Sequence, residues 1–127
     1  MRSGNGGALA LVAGLLMAGQ AMAACEGSLG RGWGSGSGNG KYAMAAGDKA
    51  CQVAFPSFIN DAAKTKIAAT EMKLTRAPKN GTISLSANGP VYTPSAGFKG
   101  NDKFCIRNTS PQVKGQSLSG CVTVSVN

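Results

Sequence analysis

Lys103-Phe104-Cys105-Ile106-Arg107-Asn108 and Gly120-Cys121-Val122-Thr123-Val124-Ser125-Val126 decide the fold. In both stretches apolar and polar residues alternate with a period of two, which sends successive side chains to opposite faces of a strand. Phe104 and Ile106 share one face, and Val122, Val124 and Val126 share another; these predict a common core. Cys105 and Cys121 then point the other way, side by side on neighbouring strands. Opposed residues of paired strands hold their Cβ atoms about 4.5–5.5 Å apart, within reach of a disulfide. Of the three ways to pair four cysteines, the alternation selects Cys105–Cys121 and, by subtraction, Cys25–Cys51. Four thiols around a metal are the rival arrangement, but the chain has no Cys-x-x-Cys pair.

Working outward, residues 50–126 read as short β-branched and aromatic runs punctuated by Gly, Pro and Asn, the texture of an antiparallel sheet protein. Strands are expected at 50–55, with Cys51, Val53 and Phe55 on one face; at 69–75, grouping Thr70, Met72 and Leu74; at 81–86, grouping Ile83 and Leu85; and at 91–93. Residues 57–69 could form a short helix capped by Ser57 and carrying Ile59, Ala62, Ala63 and Ile67, but Ile67 lacks apolar partners one turn further on, and an irregular connection is expected.

The first 23 residues have the form of a secretory signal peptide: Arg2, an apolar run over 8–18, then Ala21-Met22-Ala23 as a small-residue cleavage site. Cleavage after Ala23 leaves 12 basic residues against 5 acidic, a net charge of +7, and no transmembrane span in the mature form. The expected location is the periplasm or the medium, where two disulfides form readily. Met22-Ala23-Ala24-Cys25 also resembles a bacterial lipobox, so an outer-membrane lipoprotein anchored at Cys25 is a lesser alternative. Residues 24–49 are expected to be a flexible arm before a domain at 50–127, because seven of the fourteen positions from 27 to 40 are glycine. Trp33, in the middle of it, is the arm's candidate contact residue.

Composition closes several routes to chemistry. The 127-residue chain has no histidine, which removes imidazole-based catalysis and most zinc and copper sites. The glycines match neither a P-loop, since Ser35 and Tyr42 stand at required positions, nor G-x-G-x-x-G. Glu26, Asp48, Asp61, Glu71 and Asp102 are too dispersed for a calcium site, and nothing in their spacing nominates a catalytic pair. No enzyme activity, metal or cofactor is expected.

The C-terminal half spells an ordered set of motifs: Pro78-Lys79-Asn80-Gly81, Tyr92-Thr93-Pro94, Gly97-Phe98-Lys99-Gly100-Asn101-Asp102-Lys103-Phe104, and the alternating valines of the last strand. Over about residues 76–127 this resembles the Ig-like or cadherin-like repeats of bacterial surface and secreted proteins. The resemblance implies a small Ig-like antiparallel β-sandwich, with Tyr92, Phe98 and Phe104 as core anchors. Here it occurs as a single copy, with Ile106 where a second aromatic is common. Asp102 is expected to accept backbone N–H bonds in the turn before its strand.

What remains is charge. Lys73, Lys103 and Arg107 point away from the expected core, and Arg76, Lys79, Lys99 and Lys114 adjoin them in turns. Together they predict a positive surface for an anionic envelope polymer or another exported protein. No strand interleaves aromatic and basic residues as a nucleic-acid platform does, so no specific nucleic-acid partner is expected. The sequence therefore reads as a binding or envelope-associated module. The alternative is a secreted antagonist working through the Trp33 arm.

Overall fold

The computed structural model describes residues 25–45 and 47–127; the stretch expected to be a signal peptide and the lipobox-like residues before Cys25 lie outside them. Among the described residues the chain is all-β, with ten strands: β1 (Glu26–Ser28), β2 (Gly38–Met44), β3 (Cys51–Gln52), β4 (Ser57–Asn60), β5 (Thr65–Ala68), β6 (Glu71–Arg76), β7 (Gly81–Ser86), β8 (Gly89–Pro94), β9 (Gly100–Thr109) and β10 (Leu118–Val126). They form a five-stranded sheet in the order β1-β2-β10-β9-β6, a three-stranded sheet β3-β8-β7, and the separate hairpin β4-β5. Counting β3 as the second strand of an immunoglobulin sandwich, the sheets divide as that fold divides its B-E-D and G-F-C strands.

The two sheets close over one core because their strands alternate as the sequence requires. Phe104, Ile106, Val122 and Val124 are fully buried from the large sheet, as are Cys51, Val53 and Tyr92 from the small sheet and its flanks. The Tyr92 and Phe104 rings lie nearly parallel, 5° between planes with centroids 6.3 Å apart. Each such side chain contributes about 1.5–3 kcal/mol by leaving water. Phe98 packs at the margin, only partly covered. Both disulfides pair as the alternation predicts. Cys105 and Cys121 stand directly opposite in the β9–β10 register. Cys25–Cys51 ties the residue before β1 to β3, and so joins the two sheets.

Four expectations need correction. The first is the arm. Residues 26–44 are not a flexible segment but two strands of the large sheet joined through a single 3-10 turn at Trp33–Ser35. Along β2, Gly38, Gly40, Tyr42 and Met44 face inward, Met44 only 1% exposed. The glycines are there for close approach. A Cβ on Gly38 would fall inside the Trp33 indole, and one on Gly120 would strike the Gly38 backbone across the ladder. The sandwich thus begins near residue 26, not at 50.

The second concerns strand direction: β2 runs parallel to β10, Gly38 opposite Gly120 through Met44 opposite Val126, while every other ladder is antiparallel. The third is the segment 57–69, which forms the β4–β5 hairpin. Its turn holds none of the usual Gly or Pro. Instead Lys64 takes a positive φ of 55°, and Asn60 Oδ1 accepts the Ala63 N–H at 3.1 Å. The fourth is the 69–75 strand, whose inward face is only partly covered, because β6 is an edge strand and Leu74 stays 36% exposed.

Candidate functional site

The ladders place five basic side chains on the outer face of the large sheet. Three rows of register partners build it. Lys41 of β2 lies opposite Thr123 of β10, which lies opposite Lys103 of β9. The next row runs Asn39, Cys121, Cys105 and Arg76. The third runs Ser119, Arg107 and Lys73. A bulge in the β6–β9 ladder carries Thr75 past its partner, and that returns Arg76 to the same side as Cys105. Lys41, Lys73, Arg76, Lys103 and Arg107 are all exposed. Neighbouring strands are about 4.8 Å apart and same-face residues about 6.8 Å apart along a strand, so the charges form a grid across the open face of the sheet.

Only three carboxylates belong to these five strands: Glu26, Glu71 and Asp102. Glu26 lies on the far edge strand, opposite Ala43. Glu71 Oε1 accepts the Thr109 hydroxyl at 3.2 Å at one end of β9. Asp102 is inward-facing and 5% exposed. Glu71 pairs with Thr109, seven residues along β9 from Asp102 and on the opposite face, a separation of about 24 Å. These two acids do not meet.

Asp102 instead shapes one end of the basic face. Oδ1 accepts the backbone N–H groups of Lys79 at 2.9 Å and Lys103 at 3.0 Å. Oδ2 accepts the Asn80 N–H at 2.9 Å and the Tyr92 hydroxyl at 2.8 Å. Burial opposes its charge, but the Tyr92 hydroxyl and the Asn80, Lys79 and Lys103 amides together prevail and hold its carboxyl below the ordinary range. Burial first, and then the bond and charge of Asp102, push the Tyr92 phenol well above its ordinary value. The turn carrying Lys79 is thereby fastened to the strand carrying Lys103. Around that point a shallow depression of about 290 Å³ is lined by Arg76, Lys79, Asn80, Asn101, Lys103 and Thr123, with Asp102 beneath.

The structure thus unites Lys73, Arg76, Lys103 and Arg107, and sets Lys79 on the rim of the same face. It separates Lys99, which lines another depression of about 250 Å³ with Asp48, Lys49, Phe98 and Val126. It adds Lys41, which the sequence reading missed by assigning residues 24–49 to an arm. The signal was present in the glycine, tyrosine and methionine at alternate positions from 38 to 44.

Trp33 is not an exposed contact. It is 6% exposed, its indole N–H donates to the Leu29 carbonyl at 2.7 Å, and Gly38 passes beneath the ring. Cys25, expected either in a bridge or under a lipid anchor, has its sulfur bonded to Cys51. Among the described residues no helix is long and apolar enough to cross a membrane, and no group of three or more acids and cysteines is placed to hold a metal ion. Compared with known proteins, the chain matches no family model and no curated relative.

Proposed function

We propose that this protein is a non-catalytic exported module of the Ig-like or cadherin-like type, whose five-stranded sheet binds an anionic polymer of the cell envelope through its outer face. One observation carries the reading: the ladder registers align Lys41, Lys73, Arg76, Lys103 and Arg107 on one surface, with Glu71 the nearest exposed acid on the strands that bear them. An open grid of cations suits an extended chain of repeated negative charges better than a small ligand, which favours an enclosed pocket. Attraction of this kind acts at long range and weakens as salt screens it. The expected ligand is a phosphorylated or uronate-bearing polysaccharide, and the export signal and two disulfides fit that setting.

The test is binding to immobilised lipopolysaccharide and to a polyuronate, with neutral dextran as the control, at about 50 mM and about 0.5 M NaCl. The expected result is retention on the anionic supports at low salt, release at high salt, and loss of retention in the variant Lys73→Gln/Lys103→Gln/Arg107→Gln. Equal retention of that folded variant would refute the assignment. The antagonist reading has no comparable support, because its working residue, Trp33, is enclosed in the core.

A further inference from the structure

The two disulfides differ in their surroundings. Cys25 is partly exposed, but its partner Cys51 is fully buried, and that bridge ties two sheets together. Cys105 and Cys121 are both partly exposed, on the outer face of adjacent strands. Their surroundings also differ from each other. Lys103 and Arg107 flank Cys105 on the same face of β9, and Arg76 is its register partner on β6. Cys121 is flanked by Ser119 and Thr123, with Asn39 as its register partner on β2. Three cations hold the positions directly next to Cys105, whereas those directly next to Cys121 are neutral and cations stand only on its diagonals, at Lys41, Lys103 and Arg107.

We infer that Cys105–Cys121 is a thiol–disulfide exchange site for anionic low-molecular-mass thiols, in which the incoming sulfur bonds Cys121 and Cys105 leaves as the thiolate. Nearby cations stabilise a thiolate, and exchange is faster when the departing sulfur is the better-stabilised anion. The thiolate RS⁻ attacks Sγ of Cys121. An RS–Sγ bond forms, the bond between Cys121 and Cys105 breaks, and its electron pair passes to Cys105 Sγ beside Lys103, Arg107 and Arg76. A second RS⁻ attacks the mixed disulfide, releasing Cys121 as a thiolate and RSSR as the oxidised product. Water then supplies the protons that the two cysteines take up.

The fold accommodates the open form, because the β9–β10 ladder has nine register pairs and does not rely on the bridge to hold its strands together. The cations that serve this step are shared with the proposed polymer face, but the exchange does not depend on that polymer binding. Each claim can fail alone.

The experiment incubates the intact protein briefly with reduced glutathione near neutral pH, blocks free thiols with N-ethylmaleimide, and maps the tryptic peptides. Cleavage at Lys103 and Arg107 isolates the Cys105 peptide, and cleavage at Lys114 isolates the Cys121 peptide. Expected are glutathione on the Cys121 peptide, maleimide on the Cys105 peptide, an intact Cys25–Cys51 bridge and an unchanged circular dichroism spectrum. The variant Arg76→Gln/Lys103→Gln/Arg107→Gln should exchange about tenfold more slowly and lose the preference for Cys121. Should that variant fail to fold, Lys103→Gln and Arg107→Gln made singly should each slow the reaction. The inference is overturned if glutathione is found equally or mainly on Cys105, if Cys25–Cys51 opens first, or if exchange occurs only on unfolding.

Discussion

The Tyr92 hydroxyl donates to Asp102 across the sandwich at 2.8 Å, so a residue of the small sheet and a residue of the large one are joined by a charge-assisted hydrogen bond. The same carboxylate accepts three backbone N–H groups, which leaves it ionised although buried. Asp102→Asn removes the charge and sets an amide group against N–H donors. Expected is a loss of about 3 kcal/mol or more, read from urea denaturation. Tyr92→Phe removes one donor and keeps the three amides, so it should cost less, about 1–2 kcal/mol.

Stability should fall at both pH extremes. The Asp102 carboxyl lies below its ordinary 3.8 in the folded chain, so its contribution is complete above that value and is lost as the pH falls through the folded pKa. Tyr92 lies above its ordinary 10.0, so the unfolded chain releases the phenol proton first and stability declines as the pH rises past 10. Thermal midpoints from pH 2 to 11 check this. In Tyr92→Phe the alkaline decline should be much reduced; an unchanged decline would contradict the assignment.

Residues 27–40 should resist proteolysis while the protein is folded, despite their glycine content. Trp33→Ala empties a buried ring site and should cost about 3–5 kcal/mol. Gly38→Ala should also destabilise, because the added methyl meets the indole that covers it. A Trp33→Ala protein of native midpoint would return this segment to the status of an arm.

Removing the cross-sheet bridge with Cys25→Ser/Cys51→Ser should lower stability by about 3 kcal/mol in the chain-entropy account. Denaturant midpoints under oxidising conditions give the comparison.

Lys41→Gln tests the part of the basic face that only the folded chain reveals. Its side chain is exposed and carries no structural load, so the expected change in stability is within about 0.5 kcal/mol. Retention on the anionic support should nevertheless weaken, and its dependence on salt should become shallower. Unchanged retention would confine binding to β6 and β9.

The legible parts of the fold were those where one strand face is fully covered. Phe104, Ile106, Val122, Val124 and Val126 alternate cleanly because the small sheet excludes water from one side only, and the pairing of Cys105 with Cys121 follows from that alternation. Two regions were hidden. In β2, glycines fill inward positions that elsewhere hold valine, since the parallel approach to Gly120 and the overlying Trp33 leave no room for a side chain. Such a strand looks like a linker by composition. In the β4–β5 hairpin, Asn60 and Asp61 are turn residues, but Ala62, Ala63 and Lys64 are not, no Gly or Pro marks the bend, and it relies on the unusual backbone of Lys64. The site was legible to the same extent. Lys73, Lys103 and Arg107 followed from alternation, Arg76 needed the bulge, and Lys41 needed a strand that composition disguised.

The parallel pairing of β2 with β10 also constrains the order of events during synthesis. A ribosome makes the glycine-rich strand well before this neighbour, so for most of elongation β2 can pair with β1 on one edge and has no partner on the other. Completion of the large sheet must wait for residues 118–126. Until they emerge, β2 and β9, the two strands between which β10 lies, have no ladder connecting them.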